Sequence, residues 1–149
     1  MTDPDHARLL LETARKDLRA LEGMGDPTTF AEEIFGFHAQ QAVEKAIKSW
    51  LSLAGRAYPR THDLEALLVL LEEGGANVPD TFWELIDLSD FAVQLRYQAY
   101  AYDEELLDRP SIVRRVRGIV ERVEEVLDET VRDDPPARGE DPPQPSASS

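Results

Sequence analysis

Apolar residues recur along the chain at intervals of three and four, and no stretch keeps the strict alternation of a half-buried strand. The pattern predicts about five helices. The first runs from about Asp3 to Leu21, with Ala7, Leu10, Leu11, Ala14, Leu18 and Leu21 on one side, Pro4 in the opening turn, and Gly23 and Gly25 after its end. The second runs from about Thr29 to Leu53 and gathers Phe35, Ala39, Ala42, Val43, Ala46, Trp50 and Leu53 on one broad face. Gly55 and Pro59 stop it. A third helix, with Thr61 as its N-cap, buries Leu64, Leu67, Leu68 and Leu71 and closes at Gly74 and Gly75. A fourth starts near Pro79 or Asp80 and continues to about Tyr102, with Phe82, Leu85, Ile86, Val93 and Tyr100 turned inward. The last has Pro110 at its start and carries the clearest stripe: Ile112, Val113, Val116, Ile119, Val120, Val123, Val126 and Leu127.

Short connections favour antiparallel neighbours, so the expected fold class is all-α, an up-and-down helical bundle over residues 3–131. After Val131 the sequence turns to Pro, Ser and acidic residues with almost no apolar surface to offset the entropy of ordering, and residues 132–149 read as a disordered tail.

Composition narrows the chemistry. The chain has no cysteine, which excludes disulfides and any Cys-based metal, redox or nucleophilic site. Its three histidines form neither an H-E-x-x-H nor an inward E-x-x-H pair, so no metal site and no cofactor is expected. Gly-rich phosphate loops and a G-x-S-x-G elbow are absent as well. The opening residues are charged throughout, unlike a secretory leader, and no apolar run approaches the roughly 20 residues that span a bilayer. A cytoplasmic location without membrane attachment is the expectation. A formal net charge of −14 repels phosphate backbones and argues against non-specific DNA binding. Screening over about 10 Å still leaves room for a local basic patch.

Several polar residues exceed what a plain bundle needs. On the second helix His38, Gln41, Lys45 and Lys48 form a polar stripe opposite the core face, with Glu44 at its edge. This is either a solvated face with ordinary side-chain pairs or a cationic rail for a phosphate or a partner subunit. His62, in Pro-Arg-Thr-His-Asp-Leu, falls just inside the third helix, where Thr61 and Asp63 act as caps or the helix N-terminus and Arg60 attract an anion. Arg96 falls among Leu85, Ser89, Ala92 and Val93, on the side that should be buried. It pairs there with a carboxylate or serves a phosphate with its planar fork. Tyr97, Tyr100 and Tyr102 follow, as core and rim residues or as stacking faces for a base.

Three segments together resemble the HEPN domain family: Phe37-His38-Ala39-Gln40-Gln41-Ala42-Val43-Glu44-Lys45-Ala46-Ile47-Lys48, then Arg60-Thr61-His62-Asp63-Leu64, then Leu95-Arg96-Tyr97. The resemblance covers about Asp5 to Thr130 and implies a homodimeric up-and-down bundle, often encoded beside a minimal nucleotidyltransferase in a toxin–antitoxin-like pair. In the ribonuclease branch of that family an arginine is followed four to six residues later by a histidine, and the pair cleaves RNA without metal. Arg96 matches the arginine, but Tyr97-Gln98-Ala99-Tyr100-Ala101-Tyr102-Asp103 contains no histidine, so the motif is incomplete. The tyrosine modified in some members follows that missing histidine, so neither Tyr100 nor Tyr102 takes that role. The expectation is a nucleotide- or RNA-binding module and partner of a nucleotidyltransferase subunit, leaning away from an enzyme. Its candidate site is Gln41, Glu44, Lys45, His62, Asp63, Arg96 and Tyr97. The alternatives are a metal-independent endoribonuclease toxin with Arg96 catalytic, and a structural dimerisation module without ligand.

Overall fold

A helix leaves backbone donors open at its start; here side-chain caps meet them ahead of Pro4 and Leu64, while the helix that starts at Glu32 has no side-chain cap. The computed structural model describes residues 2–92 and 106–133, and no strand occurs among them. Helix α1 (Pro4–Glu22) has Asp3 as its N-cap, accepting from the His6 amide at 3.1 Å, with Pro4 in the first turn. Its buried residues, Ala7, Leu11, Ala14, Leu18 and Leu21, are those of the expected stripe, while Leu10 is only half-buried.

Helix α2 (Glu32–Leu53) starts three residues later than the periodicity suggests. The Asp26 carboxylate accepts from the Thr28 amide at 2.9 Å and from the Thr28 and Thr29 hydroxyls at 2.8 Å each, which folds residues 26–30 into a turn of their own. These bonds, Thr28's first, hold the Asp26 carboxyl below the ordinary carboxylate range. Helix α2 is enclosed on almost every side. Phe35, Ala39, Ala42, Val43, Ala46, Trp50 and Leu53 are buried as expected, and so are Gly36, Gln40, Glu44, Ile47, Ser49, Leu51 and Ser52. Small residues let α1 approach closely. Ser49 Oγ donates to the Ala7 carbonyl at 2.8 Å, and the Asp3 amide to the Ser52 carbonyl at 3.2 Å, so the two helices run antiparallel.

Helix α3 (Leu64–Glu73) buries Leu64, Leu67, Leu68 and Leu71 as the pattern requires. Its N-cap is Asp63, not Thr61: the Asp63 carboxylate takes the Glu65 and Ala66 amides, and Thr61 Oγ1 takes the Asp63 amide instead. His62 precedes α3 and meets Glu44, while Glu73 at its end meets Arg56 beyond α2, so α3 lies along the second half of α2 in the same sense.

The long fourth helix does not form over its described part. Helix α4 (Asp80–Trp83) is a single turn, and a 3₁₀ turn follows at Ile86–Asp90. The spacing explains the break. Phe82, Leu85, Leu88 and Phe91 are all buried at intervals of three, which keeps one line on a 3₁₀ spiral and drifts sideways on an α-helix. Ile86 is only half-buried, and the expectations for Val93, Arg96, Tyr97, Tyr100 and Tyr102 lie outside the described residues.

Helix α5 (Arg109–Asp133) places Val116, Ile119, Val120 and Val123 in the core, with Ile112, Val113, Val126 and Leu127 packed against it. Arg117 pairs with Glu22 at 3.0 Å and Arg15 with Glu124 at 2.6 Å, which sets α5 antiparallel to α1. The expected tail from residue 134 onward lies outside the described residues.

One buried cation ties this bundle together at its first turn. The Arg109 guanidinium donates to the Met24 carbonyl at 2.9 Å and to the Phe30 carbonyl and Glu32 Oε1 at 2.8 Å each, and it sits over the Phe35 ring. The Leu107 amide donates to the other Glu32 oxygen. Arg109→Met strands the Glu32 carboxylate in a site with little water and is expected to cost about 3–5 kcal/mol of stability, read from urea unfolding. Gly36 also has no room for a side chain, because an added Cβ would lie 2.3–2.5 Å from atoms of the Phe91 ring. Gly36→Ala is expected to destabilise by about 1–3 kcal/mol through overpacking. The same unfolding curves test it, and an unchanged midpoint would contradict it.

Candidate functional site

Glu44 sits mid-way along α2, where the helix faces both the 54–63 link and the start of α3. It does not lie at the edge of a solvated stripe as periodicity suggests: it is only 3% exposed, and Gln40, one turn earlier, is fully buried. A buried carboxylate must be surrounded by donors. Lys48 Nζ donates to Glu44 Oε2 at 2.7 Å, and Oε1 accepts from Gln40 Nε2 at 2.7 Å and from His62 Nδ1 at 2.9 Å. Burial alone would raise the Glu44 pKa. Hydrogen bonds from Lys48, Gln40 and His62, together with the Lys48 charge, outweigh it and hold the carboxyl below the usual carboxylate range.

The network continues outward in one direction of donation. Gln41 Nε2 donates to Gln40 Oε1 and Lys45 Nζ to Gln41 Oε1, each at 2.7 Å, so a chain of donors runs from Lys45 through Gln41 and Gln40 to the Glu44 oxygen. Each bond polarises the next. On the other flank Lys48 lies 5.5 Å from the Tyr58 ring centroid, and the Tyr58 hydroxyl is 3.2 Å from His6 Nε2.

His62 is fixed at two points. Its ring is held by Glu44, and its carbonyl accepts from Gln40 Nε2 at 3.4 Å. An ionised carboxylate has no proton to give, so the proton of this contact is on Nδ1. The ring is 54% exposed, and among the described residues nothing bonds Nε2. His62 lies ahead of α3 and not inside it, and the free backbone donors there are already taken: Glu65 and Ala66 by Asp63, and Leu64 by Ser89 Oγ at 3.0 Å.

Four of the nominated residues, Gln41, Glu44, Lys45 and His62, therefore share one network, and Asp63 adjoins it as the cap of α3. Arg96 and Tyr97 lie outside the described residues. His38 does not join: its Nδ1 contacts Asp17 on α1 at 3.0 Å. Gln40 and Tyr58 were not singled out. Gln40 is signalled only by standing one turn before Glu44, with Lys48 one turn after it, while nothing local marks Tyr58. Among the described residues no cluster of three or more His, Asp or Glu is arranged to hold a metal ion, and no helix is long and apolar enough to cross a membrane.

Because the Glu44 pKa is depressed in the folded state, the unfolded chain takes up its proton first as pH falls. The stability contributed by Glu44 is complete above the unfolded value of about 4.3 and disappears as pH drops through the folded value. Glu44→Gln is expected to destabilise by about 1–3 kcal/mol at neutral pH, by leaving buried donors poorly matched. The difference from the wild type should shrink in urea titrations stepped downward from pH 6. A gap that stays constant with pH would show that Glu44 is not the titrating group.

A family model for the HEPN domain matches residues 7–131, which spans all of the bundle from the first turns of α1 to the last of α5. No curated protein and no solved structure matches the chain. The match covers most of the sequence and includes every residue of the Glu44 network except His6, and on that basis the chain belongs to the HEPN domain family.

Proposed function

We propose that this chain is a nucleotide- or RNA-binding and interaction module, working in the cytoplasm as a homodimer beside a minimal nucleotidyltransferase in a toxin–antitoxin-like pair. Membership of the HEPN family supports a nucleotide- or RNA-related role in general terms, and domains of that family commonly dimerise. The observation that carries the reading is the Glu44 network itself. It ties the Lys45 ammonium and the His62 ring into one hydrogen-bond network on an otherwise strongly acidic molecule. Lys45 supplies charge to a phosphate, and His62 offers a ring edge held in place from below. Asp63 keeps the start of α3 rigid beside it. Arg96 contributes a second cation and Tyr97 a stacking face for a base.

Fluorescently labelled ATP and a labelled single-stranded RNA, titrated separately onto the protein and followed by anisotropy, test the reading. Saturable binding of at least one is expected, weakened about tenfold by Lys45→Ala and by Arg96→Ala, as for loss of one charge-assisted hydrogen bond. Absence of saturable binding to both ligands would remove it.

A further inference from the structure

Between the end of α1 and the start of α5 the surface sinks into a cleft of about 360 Å³. Leu21, Pro110 and Val113 give it an apolar wall. At roughly 30 Å³ each it has room for about a dozen waters, and a concavity of this size falls within the span of small-ligand sites. None of its residues belongs to the Glu44 network.

The charges around the cleft are unequally matched. Three arginines, Arg109, Arg114 and Arg117, line it against one acid, Glu22. Arg109 is taken by Glu32 at 2.8 Å, and Arg117 by Glu22 at 3.0 Å. Arg114 is exposed, and among the described residues it has neither an ion pair nor a hydrogen bond. One positive charge is therefore left over at the edge of an apolar wall. The two paired arginines have a different part: the Arg117 bridge ties α5 to α1, and Arg109 ties α5 to the turn after α1, so the walls are set before any ligand arrives.

We propose that this cleft binds a small monocarboxylate with an apolar body, which lies against Leu21 and Val113 while its carboxylate meets the Arg114 guanidinium. One unmatched cation calls for one negative charge, and the planar fork of arginine takes the two oxygens of a carboxylate side by side. A neutral apolar molecule would fill the cleft and leave that cation unused. A nucleoside triphosphate would bring several charges where only one is wanted and set them near Glu22. The site shares no residue with the proposed nucleotide- or RNA-binding surface, so each stands or falls by its own titration.

Displacement of the fluorescent dye anilinonaphthalene sulfonate from the full chain tests the proposal. Octanoate is expected to displace the dye saturably, at concentrations about tenfold lower than octanol or ATP, the margin of one charge-assisted hydrogen bond. Arg114→Glu disturbs no contact and should weaken octanoate by at least about tenfold, whereas Arg132→Glu, the same reversal at the far end of α5, should leave its affinity unchanged. Gly25 also lines the cleft, and a Cβ added there meets nothing within 4 Å. Gly25→Leu is therefore expected to fold and to abolish octanoate binding by occupying the space. Octanol or ATP acting as well as octanoate, no octanoate-dependent change at all, an Arg114→Glu protein no weaker than Arg132→Glu, or full octanoate affinity in Gly25→Leu would each overturn the carboxylate site.

Discussion

An ionised carboxylate withdrawn from water is the constraint around which α2, the 54–63 link and α3 are arranged. Moving such a charge into a protein interior costs several kcal/mol even after relaxation, and only well-placed donors offset it. Glu44 finds two of them on its own helix, one turn to either side, which no change in packing can remove. The third comes from His62, and reaching it obliges the chain to turn back after α2 before α3 begins. The path of the backbone between these helices follows from where one acidic side chain needs a partner.

Helix α2 carries a second such group at its first residue. Glu32 is clasped by Arg109, whose remaining donors close the carbonyls of the turn between α1 and α2. The two clasps differ in consequence. Both partners of the Glu32–Arg109 pair are inside, so its effect ends at holding α5 against the start of α2. The Glu44 cluster has an inner half that is dry and an outer half, at Lys45 and His62, that meets solvent. Only the second kind leaves the groups that an enclosed charge has oriented within a ligand's reach.

Much of this was legible from residue spacing. The stripes of α1 and α5 are simple, since one face of each helix packs and the other does not, and periodicity measures that contrast. It fails on α2 because a helix enclosed from several directions has no polar face to detect. Glu44 therefore passes for the edge of a polar stripe, although it is buried together with Gln40. The cap of α3 falls two residues beyond the expected one because Thr61 and Asp63 are both competent caps: Asp63 takes the Glu65 and Ala66 amides, and Thr61 takes only the Asp63 amide. Periodicity assigns Phe82, Leu85 and Ile86 to one side of a long α-helix, whereas Phe82 and Leu85 in fact align with Leu88 and Phe91 at a strict interval of three that favours the tighter spiral. The buried guanidinium anticipated at Arg96 has a counterpart at Arg109, a position that sequence marks only as the residue before a helix-opening proline.

The link from Ala54 to Asp63 has to span a set distance, from the end of α2 back to Glu44, and deliver one particular ring there. Its length is thereby as much a part of the site as any side chain. An added or deleted residue between Gly55 and Arg60 would leave the hydrophobic contacts of α3 free to re-form at a new register, yet would carry the imidazole off its carboxylate. By contrast the Gly74–Gly75 turn on the far side of α3, where Gly75 adopts φ 97° and no polar contact of the site is anchored, has no such duty. Natural variation in loop length should therefore collect on one side of this short helix and be absent from the other.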